Sequence, residues 1–307
     1  VTIAACYVSP EGVVLGADST TTFNLVQPGG INKLPHYFNY AQKLFEISQE
    51  PETETLGIVT WGLGGLGELS YRTLVGRFAD DLKKNPAKTL QDVATRWSQL
   101  FWREWTTALK KEFEDLDKLR KIATRTPRQE EEYANLLNLG VGFCLAGYGR
   151  NDHRTAGAFE IVFDPGKVTI PQPGAPPPLA ATLNKLPVGH PIFWGVPNMI
   201  KRLLFGIDDN LAAEIAQSPK WTGTRAELDQ IINNYYLSSS FMPIRDAIDF
   251  VHAGVYSTIK GLKFSSFSQM CGGPIEIAVI TSDRKFRWVR HKRFDEAIFE
   301  QEGGGVI

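Results

Sequence analysis

The sequence predicts an α+β fold in which two mainly antiparallel β-sheets carry helices on their outer faces. Three observations lead there. Strand-like runs open the chain and return at its end, while the segments of helical periodicity lie between them. The strands come as hairpins, which favours antiparallel pairing. No linker and no internal repeat divides the 307 residues, which suffice for one large domain.

Taken in order, Val1 to Val8 and Val13 to Asp18 flank the turn Ser9-Pro10-Glu11-Gly12. Proline pre-sets φ there and glycine is free to take positive φ, so the two apolar runs form a hairpin. Both runs are nearly continuous in apolar residues, so both faces of their sheet should be covered. On the hairpin alone, the first hairpin of a buried sheet is the simpler reading. Residues 19–22 leave the sheet, and 27–37 read as an irregular loop. Lys43 to Ile47 alternates as a strand, and Leu56 to Trp61 is a second, buried one. A glycine turn, Gly62 to Gly67, precedes a helix over about 68–84. A long amphipathic helix follows over about 88–122, with Val93, Trp97, Leu100, Phe101, Trp105 and Leu109 at helical spacing. Its second half, Lys110 to Arg128, alternates in charge and reads as a solvated or coiled helix, suited to packing on a neighbouring subunit, rather than a nucleic-acid surface. Residues 140–148 and 156–163 form another hairpin. The stretch 165–190, rich in proline and glycine, reads as a surface excursion. Helices near 196–216 and 241–260 and strands near 274–281 and 285–290 complete the chain, and 303–307 form a loose tail.

Composition narrows the function classes. A net charge of −1 gives no global field for nucleic acid or an anionic membrane. The three cysteines, Cys6, Cys144 and Cys271, are widely spaced and form neither a disulfide framework nor a metal pattern, which suits a reducing compartment. There is no long apolar span or leader, so a soluble, cytoplasmic protein is expected. The five histidines show no ligand spacing, and no metal or organic cofactor is implied. Gly62, Gly64 and Gly67 satisfy G-x-G-x-x-G, but helices rather than a returning strand follow, and no acid stands where a ribose partner belongs about 20 residues on. The turn reads instead as a place where backbone approaches a substrate, with an N–H able to bind an oxyanion.

The hairpin, Asp18, Lys43-Leu44-Phe45-Glu46-Ile47 and the glycine turn occur in an order that resembles proteasome β subunits, including the bacterial HslV and Anbu branches. Gly147-Tyr148, Phe163-Asp164-Pro165-Gly166 and the segment Cys271 to Val279 strengthen the likeness, the last most of all to the Anbu branch. The resemblance implies the four-layer αββα sandwich of N-terminal nucleophile hydrolases, spanning 1–302, with a helical insertion over about 105–138 and the excursion over about 165–190. It further implies Thr2 as nucleophile, Lys43 as the tuning cation, Asp18 as the group orienting it, and the Gly62 N–H at the oxyanion. Thr22, Thr21 and Thr60 would contact substrate, with Ala41 and Phe45 also at the pocket. A threonine hydroxyl needs a base, and in this family the threonine's own α-amine serves; its ordinary pKa of about 7.7–8.0 leaves a neutral fraction near pH 7. Thr2 therefore acts only once Val1 is removed.

Three positions depart from the family pattern. Ser268 stands for an acid and Cys271, followed by Gly272, for a serine, while Val196 replaces a serine at a helix start. A register that sets Val1 against the family's first residue would put valine at the nucleophile. The expected function is a threonine-type peptidase, self-compartmentalised in a homo-oligomeric ring or spiral, acting on peptides or unfolded protein and open to a regulatory partner. The alternatives are an inactive, proteasome-like scaffold or partner-binding subunit, and an amidohydrolase for a small amide.

Overall fold

The computed structural model describes residues 2–26, 33–48, 55–151, 154–170, 177–236, 241–265, 270–283 and 285–292. Strands β1 (Ile3–Ser9) and β2 (Gly12–Ala17) form the opening hairpin. They are followed by β3 (Thr21–Val26), β4 (Lys33–Phe38), β5 (Leu44–Ser48) and β6 (Thr55–Gly62). Helices α1 (Tyr71–Lys84), α2 (Leu90–Ala108), α3 (Lys110–Arg120) and α4 (Pro127–Leu137) come next. After them run β7 (Val141–Gly147), β8 (Gly157–Phe163), β9 (Thr182–Lys185) and β10 (Ile192–Gly195). Helices α5 (Asn198–Phe205), α6 (Asp209–Gln217), α7 (Arg225–Asn234) and α8 (Ile244–Lys263) lead to β11 (Glu276–Thr281) and β12 (Lys285–Arg290).

The first sheet has the order β10-β1-β2-β11-β12 and the second β5-β6-β7-β8-β9, with β3 and β4 as a separate ribbon; every pairing is antiparallel. Alternation along β1 sorts its side chains between two cores. Ala4, Cys6 and Val8 meet Leu44, Val59, Cys144 and Ala158 of the second sheet. Ile3, Ala5 and Tyr7 turn the other way, onto Val251 and Val255 of α8. Both faces are covered, as the apolar runs predict. The third core lies between the second sheet and α1–α2, where Phe78, Trp97, Phe101, Phe143 and Phe163 are fully buried. Trp97 and Phe143 meet edge-on at 5.1 Å, and such pairs add about 0.5–1.5 kcal/mol beyond burial.

The structure corrects several boundaries. Residues 33–38 are not loop but β4, paired with β3 from Thr21 to Val26; Pro35 is tolerated because each strand of a two-stranded ribbon is an edge. The long helix is two helices, broken at Leu109 (φ −107°, ψ 27°) without proline or glycine to mark it. Within the charged half, α3 still buries Phe113, Leu116 and Leu119, while Lys118–Asp115 (2.7 Å) and Lys121–Asp117 (2.6 Å) pair outside. The 165–190 stretch contains β9, which extends the second sheet beside β8. The helix near 196–216 divides at Gly206, which adopts φ +75°, and α7 lies where no helix is predicted. The 303–307 tail lies outside the described residues. Among the described residues no helix is long and apolar enough to cross a membrane.

Candidate active site

The opening hairpin fixes the first two site residues. Its register pairs Ala4 with Ala17, which brings Thr2 and Asp18 to the same end. The Asp18 N–H donates to the Ile3 carbonyl (3.1 Å), and the Ile3 N–H donates back to Asp18 Oδ1 (3.1 Å). Asp18 Oδ2 accepts from the N–H groups of Thr20 (3.1 Å) and Gly272 (2.9 Å). Lys43, at the entrance to β5, donates Nζ to Asp18 Oδ1 at 2.7 Å. The carboxylate thus accepts four hydrogen bonds while it is 0% exposed, and Lys43 is 6% exposed. Burial is compensated only when charge and lone pairs are met in this way.

Two pKa shifts follow. Burial pulls the Lys43 ammonium below its ordinary 10.5, and the Asp18 carboxylate offsets part of that. Cys271 is buried just before the Asp18-bound Gly272 N–H. Its thiol is pushed up to about 12, first by burial and then by the Asp18 charge, so it is a neutral, apolar neighbour.

Thr2 is itself buried, at 3% exposure. Its carbonyl accepts the Val196 N–H at 3.0 Å, and the next residue, Ile3, pairs with Gly195. Gly195 adopts φ +89°, and a Cβ there would stand 1.7 Å from the Thr2 oxygen, so only glycine allows this approach. The strand that delivers it, β10, has no counterpart in the sequence reading. It puts the apolar Val196 beside Thr2.

One cleft is lined by Thr2, Thr21, Thr22, Lys43, Thr60 and Gly62 together, and by Ala41. Gly62 closes β6 at φ +87°, where a Cβ would lie 2.4 Å from the Gly140 carbonyl. The hydroxyl of Thr60 is spent on the Gly142 carbonyl (3.1 Å). That of Thr22 is buried without a hydrogen-bond partner among the described residues. Phe45 is not among the residues that line the cleft; it is buried in the core with the α1 and α2 side chains. Val1 and Ser268 lie outside the described residues.

Sequence reasoning missed several neighbours. Gln42, Trp61, Leu63 and Tyr71 also line the cleft, and the Tyr71 hydroxyl donates to the Leu63 carbonyl at 2.5 Å. Burial raises the Tyr71 pKa well above its ordinary value, so this phenol stays protonated. A second buried acid, Glu276, is 0% exposed and meets His291 Nδ1 at 2.7 Å and Lys292 Nζ at 2.9 Å. Nothing in the sequence pattern joins Glu276 to residues beyond the last strand.

No family model matches the chain, and no curated protein matches it. Among solved structures, it is similar to an Anbu mutant from Hyphomicrobium sp. strain MC1. The identity is 11% and the TM-score 0.48, over 100% of this chain and 98% of that one. A likeness at that level carries nothing about chemistry, which rests on the geometry of the cleft.

Proposed function

We propose that the protein is a threonine-type N-terminal nucleophile hydrolase acting on peptides, built on a four-layer αββα sandwich and working in a homo-oligomer. The observation that carries this reading is the buried Asp18–Lys43 pair, 2.7 Å long, whose Lys43 lines the same cleft as Thr2 and Gly62. Once the Val1–Thr2 bond is cleaved, Thr2 Oγ1 attacks the scissile carbonyl and its proton passes to the neutral Thr2 α-amine. The carbonyl oxygen becomes an oxyanion against the Gly62 N–H. Collapse breaks the C–N bond, the leaving amine takes the proton, and an ester on Thr2 remains. Water, deprotonated by the same amine, then releases the acid and restores the hydroxyl. Lys43 keeps positive charge beside the α-amine, which favours its neutral form, and Asp18 holds Lys43. The unpartnered Thr22 hydroxyl is suited to a substrate backbone group.

A second reading, a subunit that keeps the fold without the chemistry, is favoured by Val196 and by the neutral Cys271 beside Asp18. Peptide turnover by the parent against Thr2→Ala separates the two. Loss of turnover in Thr2→Ala is expected. Equal turnover in both proteins, or none in a parent whose chain begins at Thr2, overturns the hydrolase.

A further inference from the structure

Lys43, which lines the cleft, and Asp18, which holds it from behind, sit on two segments that are tied together one step behind the chemistry. Lys292, 11% exposed at its side chain, places its ammonium against three groups there. Its Nζ lies 2.9 Å from Glu276 Oε2, donates to the Ala41 carbonyl at 2.9 Å and reaches the Ser19 hydroxyl at 3.3 Å. Ala41 is two residues before Lys43, and Ser19 follows Asp18. The Ala41 N–H donates to the Ser19 carbonyl (2.9 Å), the Ser19 N–H to the Gly272 carbonyl (2.9 Å), and the Ser19 hydroxyl to the Pro274 carbonyl (2.7 Å). Glu276, opposite Ala17 across the sheet, anchors the ammonium from the third segment. His291 meets the other carboxylate oxygen while stacked on Trp288 at 4.1 Å. The Lys292–Glu276 contact is an ion pair with both side chains largely shielded from solvent.

We propose that Lys292, fixed by Glu276, is a positioning residue for the cleft: it locks the 41–43 and 18–19 segments so that Lys43 meets Asp18 in one geometry. A surface lysine would pay rotamer entropy for such contacts and gain little. Here the side chain is largely shielded and the ammonium touches three different segments. The charged and titratable groups around Lys292 and Lys43 are Asp18, Arg72, Cys271, Glu276 and His291, so the tie carries charge as well as geometry.

The activity arm of the test rests on the hydrolase reading, and the exchange arm does not. Lys292→Met, Lys292→Arg and the double variant Glu276→Gln/Lys292→Met are compared with the parent by peptide turnover and by backbone hydrogen–deuterium exchange. The double variant leaves no lone buried charge and keeps the comparison open if Lys292→Met does not fold. Misplacing a cleft group by about an ångström costs up to about a hundredfold in rate, so kcat is expected to fall about ten- to a hundredfold, with KM little changed. Lys292→Arg recovers most of that loss. Exchange is expected to accelerate in 17–20 and 41–44 alone, with β6 and β7 as in the parent. Parent-like kcat and exchange in both charge-removing variants overturn the proposal, as does acceleration spread over the whole chain, which marks a merely structural pair. A parent that hydrolyses nothing sinks the hydrolase reading, while the exchange pattern still decides the role of Lys292.

Discussion

Replacing Asp18 by asparagine tests the heart of the site with almost no change of shape. Asp18 Oδ1 receives Ile3 N and Lys43 Nζ, while Oδ2 receives Thr20 N and Gly272 N. Asparagine keeps one oxygen, so whichever way it turns, its NH₂ faces two donors. The Lys43 ammonium is then left buried without a counter-charge. Removing one partner of a buried pair costs about 3–5 kcal/mol. At the lower-end sensitivity of a large domain, about 2 °C per kcal/mol, the melting temperature falls by about 6–10 °C. The sign of the pH dependence follows from Lys43. Its folded pKa already lies below 10.5 and falls further without Asp18, so between the folded and unfolded values the unfolded chain binds more protons. The stability deficit of Asp18→Asn is therefore full below the variant's folded Lys43 pKa and narrows as pH rises from there to the parent's folded value, which itself lies below 10.5. Calorimetric melting across pH reads both effects. Asp18→Asn/Lys43→Met removes the lone charge and is expected to recover part of the loss. A melting temperature equal to the parent's would refute the buried pair, and a deficit that widens as pH rises would refute the linkage.

Other predictions bear on the cleft walls. Thr22→Val removes a buried hydroxyl that has no partner among the described residues, so folding stability holds or rises slightly while KM for a peptide increases; unchanged KM would remove Thr22 from the substrate path. Gly195→Ala sets a Cβ against the Thr2 carbonyl at positive φ, and is expected to lower stability by more than about 1 kcal/mol, read by urea denaturation; a neutral effect would contradict the β10 approach. Cys271 should resist alkylation in the folded protein near pH 8.5, where an ordinary thiol is already partly ionised, and react freely once unfolded. Because the fold holds that proton to about 12 while an unfolded thiol releases it near 9.0, the stabilisation it contributes is complete below 9.0 and is lost as pH rises through that window. Rapid native labelling of Cys271 near pH 8.5 would contradict its burial.

The parts of this molecule that were legible in the sequence are those governed by short-range pattern. The hairpin of β1 and β2 follows from turn chemistry between two apolar runs, and its register alone carries Asp18 to Thr2. The places of Lys43 and Gly62 come from the resemblance to proteasome β subunits, and the cleft brings them together with Thr21, Thr22 and Thr60. What sequence pattern left out depends on long-range pairing. Strand β10 is four residues long and has meaning only beside β1, yet it delivers Gly195 and Val196 to Thr2. Phe45 alternates correctly as a strand residue, but its ring is taken up in the core beneath α1 and α2. The break at Leu109 has no proline or glycine to announce it. Lys292 reaches Glu276, Ala41 and Ser19 from beyond the last strand, a juxtaposition set by three separate chain segments.

The most direct test of the central claim is peptide-mapping mass spectrometry after incubation with a β-lactone that acylates N-terminal threonine. The account predicts a chain that begins at Thr2 and carries one acyl group on that residue, with labelling reduced in Lys43→Met. A chain that begins at Thr2 and remains unlabelled, or label carried only by other residues, would contradict it.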